Sequence, residues 1–495
     1  MLKFAASFLL AIAAGAGGPA NAQSSQEQTA AALLARHRAF VGWQFGDGTF
    51  TSMRIVGAGY DDTGRRTEKI FKLSKGLLFH SVYTTIARGI SERTGFTGNV
   101  FWQSDRNGFT TPIYGGYAKF LASLTVLGQE GTTELPASFV RNATIDGKAV
   151  GIVRVTLANG DPIDCYVDPQ TGAYVRATID PGGPYEQTIE IVSYAEAAPG
   201  KKMISSFRFV GNRTLYRYEQ FDPNVIISDR DLHPPSPSAW WSFRNGDPIP
   251  IVLTKNRILV DALVNGARGR FILDTGATAI VLDDQFADRA RVQLTGGNGE
   301  AGTFYGKVKV RTRRADTIDF GAATLHDVLV DSEDFRARDF RGLDREGYDG
   351  LIGYDFFAGA IVKLDVYGSK VTIMDPSSDL DASRGLPLLL DLSRRIPAIP
   401  ITINRSLVAE ALLDTGNPGV AFLSYDLAKT HDLRIGSPVC GNLESLTLGP
   451  IVYSGQSVCL DNFGGDMLLG YDFLKHFDYV FDFPHGRMFL TPNKN

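Results

Sequence analysis

The chain has 495 residues, 44% of them hydrophobic, with 50 basic against 54 acidic side chains and a formal net charge of −4. This balance, without a basic block, argues against a nucleic-acid partner, and the length calls for two or three domains with enough apolar content for packed cores. The cysteines, Cys165, Cys440 and Cys459, form no Cys-x-x-Cys and no zinc spacing, so neither a metal nor another cofactor is expected.

The chain opens with Met1-Leu2-Lys3, an apolar run from Phe4 to about Gly15, and Ala20-Asn21-Ala22 before Gln23. A positive n-region, a short h-region and an A-x-A site read as a secretory signal peptide, residues 1–22, cut after Ala22. A retained membrane anchor is the weaker reading, because the run is short and rich in Gly and Ala. The expected location is the bacterial periplasm or the exterior, with no membrane span once the signal is removed.

Residues 25–42 have the spacing of an amphipathic helix. From about Ser52 to Ser228 the pattern turns to short alternating runs, such as Gly151–Leu157, Thr188–Val192 and Ser205–Phe209, separated by Asp146-Gly147, Asn159-Gly160 and Asp180-Pro181-Gly182-Gly183. These predict a large, curved, mostly antiparallel sheet domain over 23–232, interrupted by one helix near Tyr117–Leu127. Asp164-Cys165-Tyr166-Val167-Asp168-Pro169-Gln170-Thr171-Gly172 resembles a strand-turn motif of periplasmic lipoprotein-carrier-like half-barrels. The resemblance implies a concave apolar face able to hold an acyl chain or a hydrophobic peptide. The plainer reading is a sheet that only packs on the second half of the chain. Cys165 reads as buried packing. A proline-rich linker, 233–247, carries His233-Pro234-Pro235-Ser236-Pro237-Ser238 and marks a domain boundary. Trp240 and Trp241 after it read as anchors that dock the linker.

The rest of the chain is a duplication. Asp274-Thr275-Gly276 recurs as Asp414-Thr415-Gly416, each after three apolar residues, and Leu351-Ile352-Gly353-Tyr354-Asp355-Phe356-Phe357 recurs as Leu468-Leu469-Gly470-Tyr471-Asp472-Phe473-Leu474. Asp365 and Asp482 come after the two closing glycines at equal spacing and read as structural. A repeat carrying one carboxylate per copy predicts two lobes, 248–379 and 380–495, that face each other and pair Asp274 with Asp414.

An Asp-Thr-Gly after an apolar run, with a later apolar-apolar-Gly, resembles the retropepsin-like aspartic proteases, with both motifs in order in both copies. The resemblance covers roughly residues 248–495. It implies a mainly β fold, with two pseudo-symmetric retropepsin-like β lobes preceded by the curved antiparallel sheet, in a monomer whose lobes form an intrachain pseudo-dimer. Viral relatives build the same site from two identical chains, and pairing of lobe one in trans with a second copy is the lesser alternative. The resemblance also implies that Thr275 and Thr415 cross-link the two loops through their hydroxyls. Gly296–Gly302 contains Gly-x-Gly-x-x-Gly, but the residues after it read as strand where a dinucleotide fingerprint must open a helix, so that reading is rejected. In this family the place belongs to a glycine-rich flap tip, with Tyr305 as the candidate flap aromatic. Cys440 and Cys459 flank a predicted hairpin in lobe two, a shorter equivalent, and could be bridged in an oxidising compartment.

Two carboxylates one hydrogen bond apart can activate a water and protonate a leaving amine, because only one of them ionises cheaply. Asp274 and Asp414 are assigned to that dyad, with Gly276 and Gly416 leaving room beside it. The expected activity is that of an aspartic-type endopeptidase acting on protein or peptide substrates. The alternative is a catalytically degraded, pepsin-like binding protein for peptides or hydrophobic ligands. It draws on the second loop, where Asn417-Pro418-Gly419 departs from the family pattern and one extra residue separates Asp414 from Leu423 compared with Asp274 and Leu282. Pro418 fixes backbone there and is expected to tilt Asp414 or reshape its pocket. The seven histidines form no His-Glu-x-x-His, and neither a Gly-x-Ser-x-Gly elbow nor a P-loop is present. Tyr354-Asp355 and Tyr471-Asp472 read as helix starts with capping carboxylates.

Overall fold

The computed structural model describes residues 20–183, 185–244, 246–303, 306–335, 347–380, 387–419, 421–433, 435 and 439–492. The signal-peptide reading rests mainly on residues 1–19 and Tyr305 stands beside Phe304, all outside the described residues.

Thirteen antiparallel strands make the sheet of the first half. Strand Ser52–Tyr60 lies at its centre, and the chain zigzags outward from there to Thr110–Ile113 at one edge. Helix Gly115–Gly128 carries it to the opposite edge, and seven strands return from Ala137–Ile145 to Leu215–Pro223, which pairs back onto Ser52–Tyr60. A polar-apolar alternation lets each strand put one face into the core. Val153, Val155, Cys165 and Val167 are fully buried there beneath Leu33 and Leu34 of the opening helix, Ala20–Val41. Among the described residues no helix is long and apolar enough to cross a membrane.

Each lobe of the second half is built around a strand that ends in the triplet. Ala267–Leu273 pairs in parallel with Gly350–Ile352, which pairs antiparallel with Val281–Asp283. In lobe two Leu407–Asp414 pairs in parallel with Met467–Gly470, which pairs antiparallel with Ala421–Ser424. The closing strand is thus inserted between the two strands flanking each triplet, giving each lobe a ψ-shaped core. A six-stranded sheet joins the lobes with a mirrored order, Ile249–Pro250, Lys370–Met374 and Ile361–Asp365 against Phe477–Asp482, Arg487–Pro492 and Leu388–Leu389. Its central pair matches Val362 with Phe481, both fully buried. Truncating a buried phenylalanine of this kind costs about 3–5 kcal/mol, so the lobes are held as one body. Asp365 accepts from the Gly368 amide, and buried Asp482 pairs with His485 and Arg487, which makes both structural.

The first half inserts the turn Asp105–Phe109 into lobe one. Asn107 exchanges hydrogen bonds with the backbone of Leu329 at 3.1 and 2.7 Å, and Phe109 joins the core of the second half. Trp240–Phe243 is an edge strand of the lobe-one sheet, pairing with Ala323–His326, and Trp241 packs on Phe356. That is the anchoring role read from sequence.

The glycine-rich run leads toward a hairpin turn, and its first two glycines are not part of that turn. Gln293–Thr303 and Gly306–Asp319 form a long hairpin whose register shifts between Leu294 and Asn298, so Gly296 and Gly297 sit in an irregularity well before the tip. A Cβ on Gly296 would lie 2.4 Å from the Arg88 carbonyl oxygen, and one on Gly297 would lie 2.2 Å from that of Ala87. The glycines are there because the turn of the first half between Thr85 and Ile90 rests its backbone on this strand, an approach that only glycine permits.

Candidate active site

Both triplets lie on loops that leave a buried parallel strand, and the loops meet across the pseudo-twofold. The Thr275 amide donates to the Thr415 hydroxyl and the Thr415 amide to the Thr275 hydroxyl, each at 3.0 Å. The Thr275 hydroxyl donates to the Leu413 carbonyl and the Thr415 hydroxyl to the Leu273 carbonyl, each at 2.7 Å. Each hydroxyl is saturated by groups of the opposite strand or loop, and both threonines are 1% exposed. Buried polar groups satisfied in this way fix geometry, because slipping either loop would orphan four of them.

The carboxylates are aimed by the same loops. Asp274 accepts from the Gly276 and Ala277 amides at 2.9 and 3.1 Å, and Asp414 from the Gly416 and Asn417 amides at 2.9 and 3.0 Å. A Cβ on Gly276 would lie 2.4 Å from the Asp414 carboxyl carbon, and one on Gly416 would lie 2.2 Å from that of Asp274. Each glycine therefore makes room for the opposite acid. Burial pushes the Asp274 carboxyl well above its ordinary 3.8, reinforced by the charge of Asp414 and the hydrogen bond between them. Burial also raises Asp414, opposed by its hydrogen bonds to Asp274 and to backbone amides. Since the two loops present matching donors, the pair holds one shared proton above the ordinary carboxylate range and titrates as a unit.

The extra residue in lobe two does not tilt Asp414. Asn417 turns its carboxamide oxygen onto the Gly419 amide at 2.9 Å, and the Pro418 carbonyl accepts from Asn256 at 3.0 Å. The insertion bulges between Asn417 and Gly419 and leaves the first turn unchanged. Both closing segments then grip the loops alike, the Tyr354 amide donating to the Ala277 carbonyl at 2.9 Å and the Tyr471 amide to that of Asn417 at 2.8 Å.

Asp355 does not cap its own helix, whose N-cap is Gly353 without a side-chain cap. It accepts from the Ile280 amide at 3.0 Å and from Arg106 at 2.8 Å. Arg106 also donates to Asp331 at 2.6 Å, with Arg88 on the same carboxylate. Asp105 completes the cluster; burial raises its carboxyl well above 3.8, aided by the charge of Asp355. Arg88 and Arg106 carry no signal in the sequence; for Asp355 the only signal is the Tyr-Asp repeated after each closing glycine.

A hairpin of lobe one, Gln293–Thr303 with Gly306–Asp319, stands where the flap was expected, with residues 304–305 outside the described residues. In lobe two Cys440–Asn442 pairs with Ser457–Asp461, Cys440 and Cys459 form a disulfide, and Ser445–Leu448 pairs with Ile451–Ser454 as a short hairpin.

Residues 260–356 match the family of aspartyl proteases. The match contains Asp274 and the first closing strand and stops before Asp414, whose lobe repeats the same motifs. No curated protein matches the chain significantly. Among solved structures, a DUF1329-family protein from Desulfovibrio piger is similar, with 14% identity, a TM-score of 0.30, and coverage of 42% of this chain and 97% of that one. A LolA-superfamily protein from Nitrosomonas europaea has 12% identity with the same TM-score of 0.30 and the same coverage, 42% and 97%.

Proposed function

We propose that the chain is an aspartic-type endopeptidase that hydrolyses peptide bonds of protein or peptide substrates with water activated between Asp274 and Asp414. The observation that carries the reading is the reciprocal grip of two buried threonines, which holds the two carboxyls in hydrogen-bond contact with matching backbone donors on each.

In that arrangement the ionised carboxylate removes a proton from a water as its oxygen bonds to the scissile carbonyl carbon, and the protonated carboxyl gives its proton to the carbonyl oxygen. The resulting gem-diol collapses: one hydroxyl returns its proton to a carboxylate, the other acid protonates the amide nitrogen, and the C–N bond breaks. The pair ends with one shared proton, as it began. Burial keeps that proton bound above the ordinary carboxylate range and so extends the working window toward neutrality.

The periplasm or the exterior of a bacterial cell is the proposed location. The amino-terminal pattern supports it, and so does the Cys440–Cys459 bridge, which suits an oxidising compartment. The test is incubation with reduced, carboxymethylated lactalbumin from about pH 3 to 7, with sequencing of the products. Internal cleavages that fade as the last proton leaves the dyad are expected. A folded protein that cleaves nothing at any pH would contradict the reading and favour the binding-protein alternative.

A further inference from the structure

Between the concave face of the thirteen-stranded sheet and helix Gly115–Gly128 lies a cavity of about 1390 Å³, larger than the usual small-molecule pocket. Almost all of its wall belongs to the first half. The exceptions are Thr278 and Ser393–Arg395. Thr278 is exposed on the loop that carries Asp274, four residues on. Arg395 pairs with Glu92 of the cavity wall at 2.7 Å and lies over the Tyr354 ring, and the Tyr354 amide holds the Ala277 carbonyl of the same loop. One end of the cavity is therefore built from the catalytic loop itself.

The lining is mixed. Phe79, Phe120 and Phe207 share it with Tyr83, Glu68 and Lys72. Glu68 and Lys72 lie on one strand and one face, with Lys72 about 13 Å farther from the turn after Thr85. The Lys72 ammonium lies over the Phe79 ring, and burial pushes its pKa down to about 8 with no carboxylate raising it. A plain hydrocarbon chain would cover these polar groups without pairing them, which is unfavourable. A polypeptide brings its own donors, acceptors and carboxylates.

We propose that this cavity is the far part of the substrate site: it takes the polypeptide segment that continues from the cleft past Thr278, and Lys72 receives an anionic group on it, either an acidic side chain or the chain-terminal carboxylate. The proposal rests on the peptidase reading. It makes the first half a specificity element that favours long, unstructured polypeptides over short peptides.

The test compares kcat/KM for reduced, carboxymethylated lactalbumin with that for an eight-residue fluorogenic peptide, in wild type, Leu124→Trp, which narrows the cavity from helix Gly115–Gly128, and Lys72→Met. The long-to-short ratio is expected to fall at least about tenfold in Leu124→Trp and several-fold in Lys72→Met. An unchanged ratio in folded variants would overturn the proposal. Binding of the labelled lactalbumin to Asp274→Asn separates failure of this proposal from failure of the peptidase reading. Tight binding that Leu124→Trp weakens supports the channel even if wild type cleaves nothing. Binding that Leu124→Trp leaves intact, or competition by a fluorescent fatty acid in place of the polypeptide, overturns it.

Discussion

Arg106 donates to the Asp355 carboxylate oxygen that also accepts the Ile280 amide, at 2.8 and 3.0 Å. A side chain of the first half thereby finishes the segment that leaves the Asp274 loop. Arg106, Asp331 and Asp355 are 4%, 8% and 2% exposed at their side chains, so removing the arginine strands buried negative charge. Arg106→Met is expected to destabilise the full chain by about 3–5 kcal/mol, read by denaturant unfolding, and Asp355→Asn in the same chain should recover part of that loss. A change below about 1 kcal/mol would mean that the halves are joined elsewhere.

Thr415→Val keeps the shape of the grip and removes its hydroxyl, orphaning the Thr275 amide and the Leu273 carbonyl. A cost of about 2–4 kcal/mol is expected, with a drop in kcat of tenfold or more as the carboxyls lose alignment. Thr415→Ser retains both bonds and should lose far less. Equal losses in Val and Ser would contradict the assignment of the effect to the hydroxyl.

Glu410 gives a pH signature separate from the dyad. Burial raises it from 4.5 to about 7, with Asp391 and Asp466 adding to the rise and Arg394 opposing it. A carboxyl raised by folding prefers its protonated form in the native state. Stability is thus greatest below about pH 4.5 and is lost as the pH rises through about 7, by no more than about 3 kcal/mol. Glu410→Gln should remove that part of the decline, so the difference in Tm between variant and wild type should grow in the variant's favour from pH 4.5 to 7. A pH-independent difference would contradict this.

The Cys440–Cys459 bridge closes a loop of sequence separation 19. Replacing both cysteines by serine is expected to cost about 2–4 kcal/mol, matched by reductant on wild type. Cys165, fully buried, should resist thiol reagents until the first half unfolds.

The features legible in the sequence were those written in contiguous motifs. The triplets, the closing strands and the strand rhythm of the first half each need only neighbouring residues, and the duplication supplied the pairing of Asp274 with Asp414. Arg106 and Asp355 are 249 residues apart, and no local pattern announces a contact at that distance. Gly296 and Gly297 misled because a tight turn and a close backbone approach ask for the same residue. Asn417-Pro418 looked disruptive because a one-residue insertion is visible in sequence, while the Asn417 side chain that absorbs it is visible only in the fold.

Whether Asp274 and Asp414 act as one dyad within a single chain is measured most directly by lactalbumin cleavage by Asp274→Asn and Asp414→Asn, each checked for folding. A single-chain dyad requires kcat to fall by about 100-fold or more in both. Each variant is also expected to be at least as stable as wild type near neutral pH, because a carboxyl with a raised pKa is removed. Cleavage abolished by Asp274→Asn but retained in Asp414→Asn would contradict the single-chain dyad, leaving lobe two a scaffold and placing the second carboxylate in another copy of the chain.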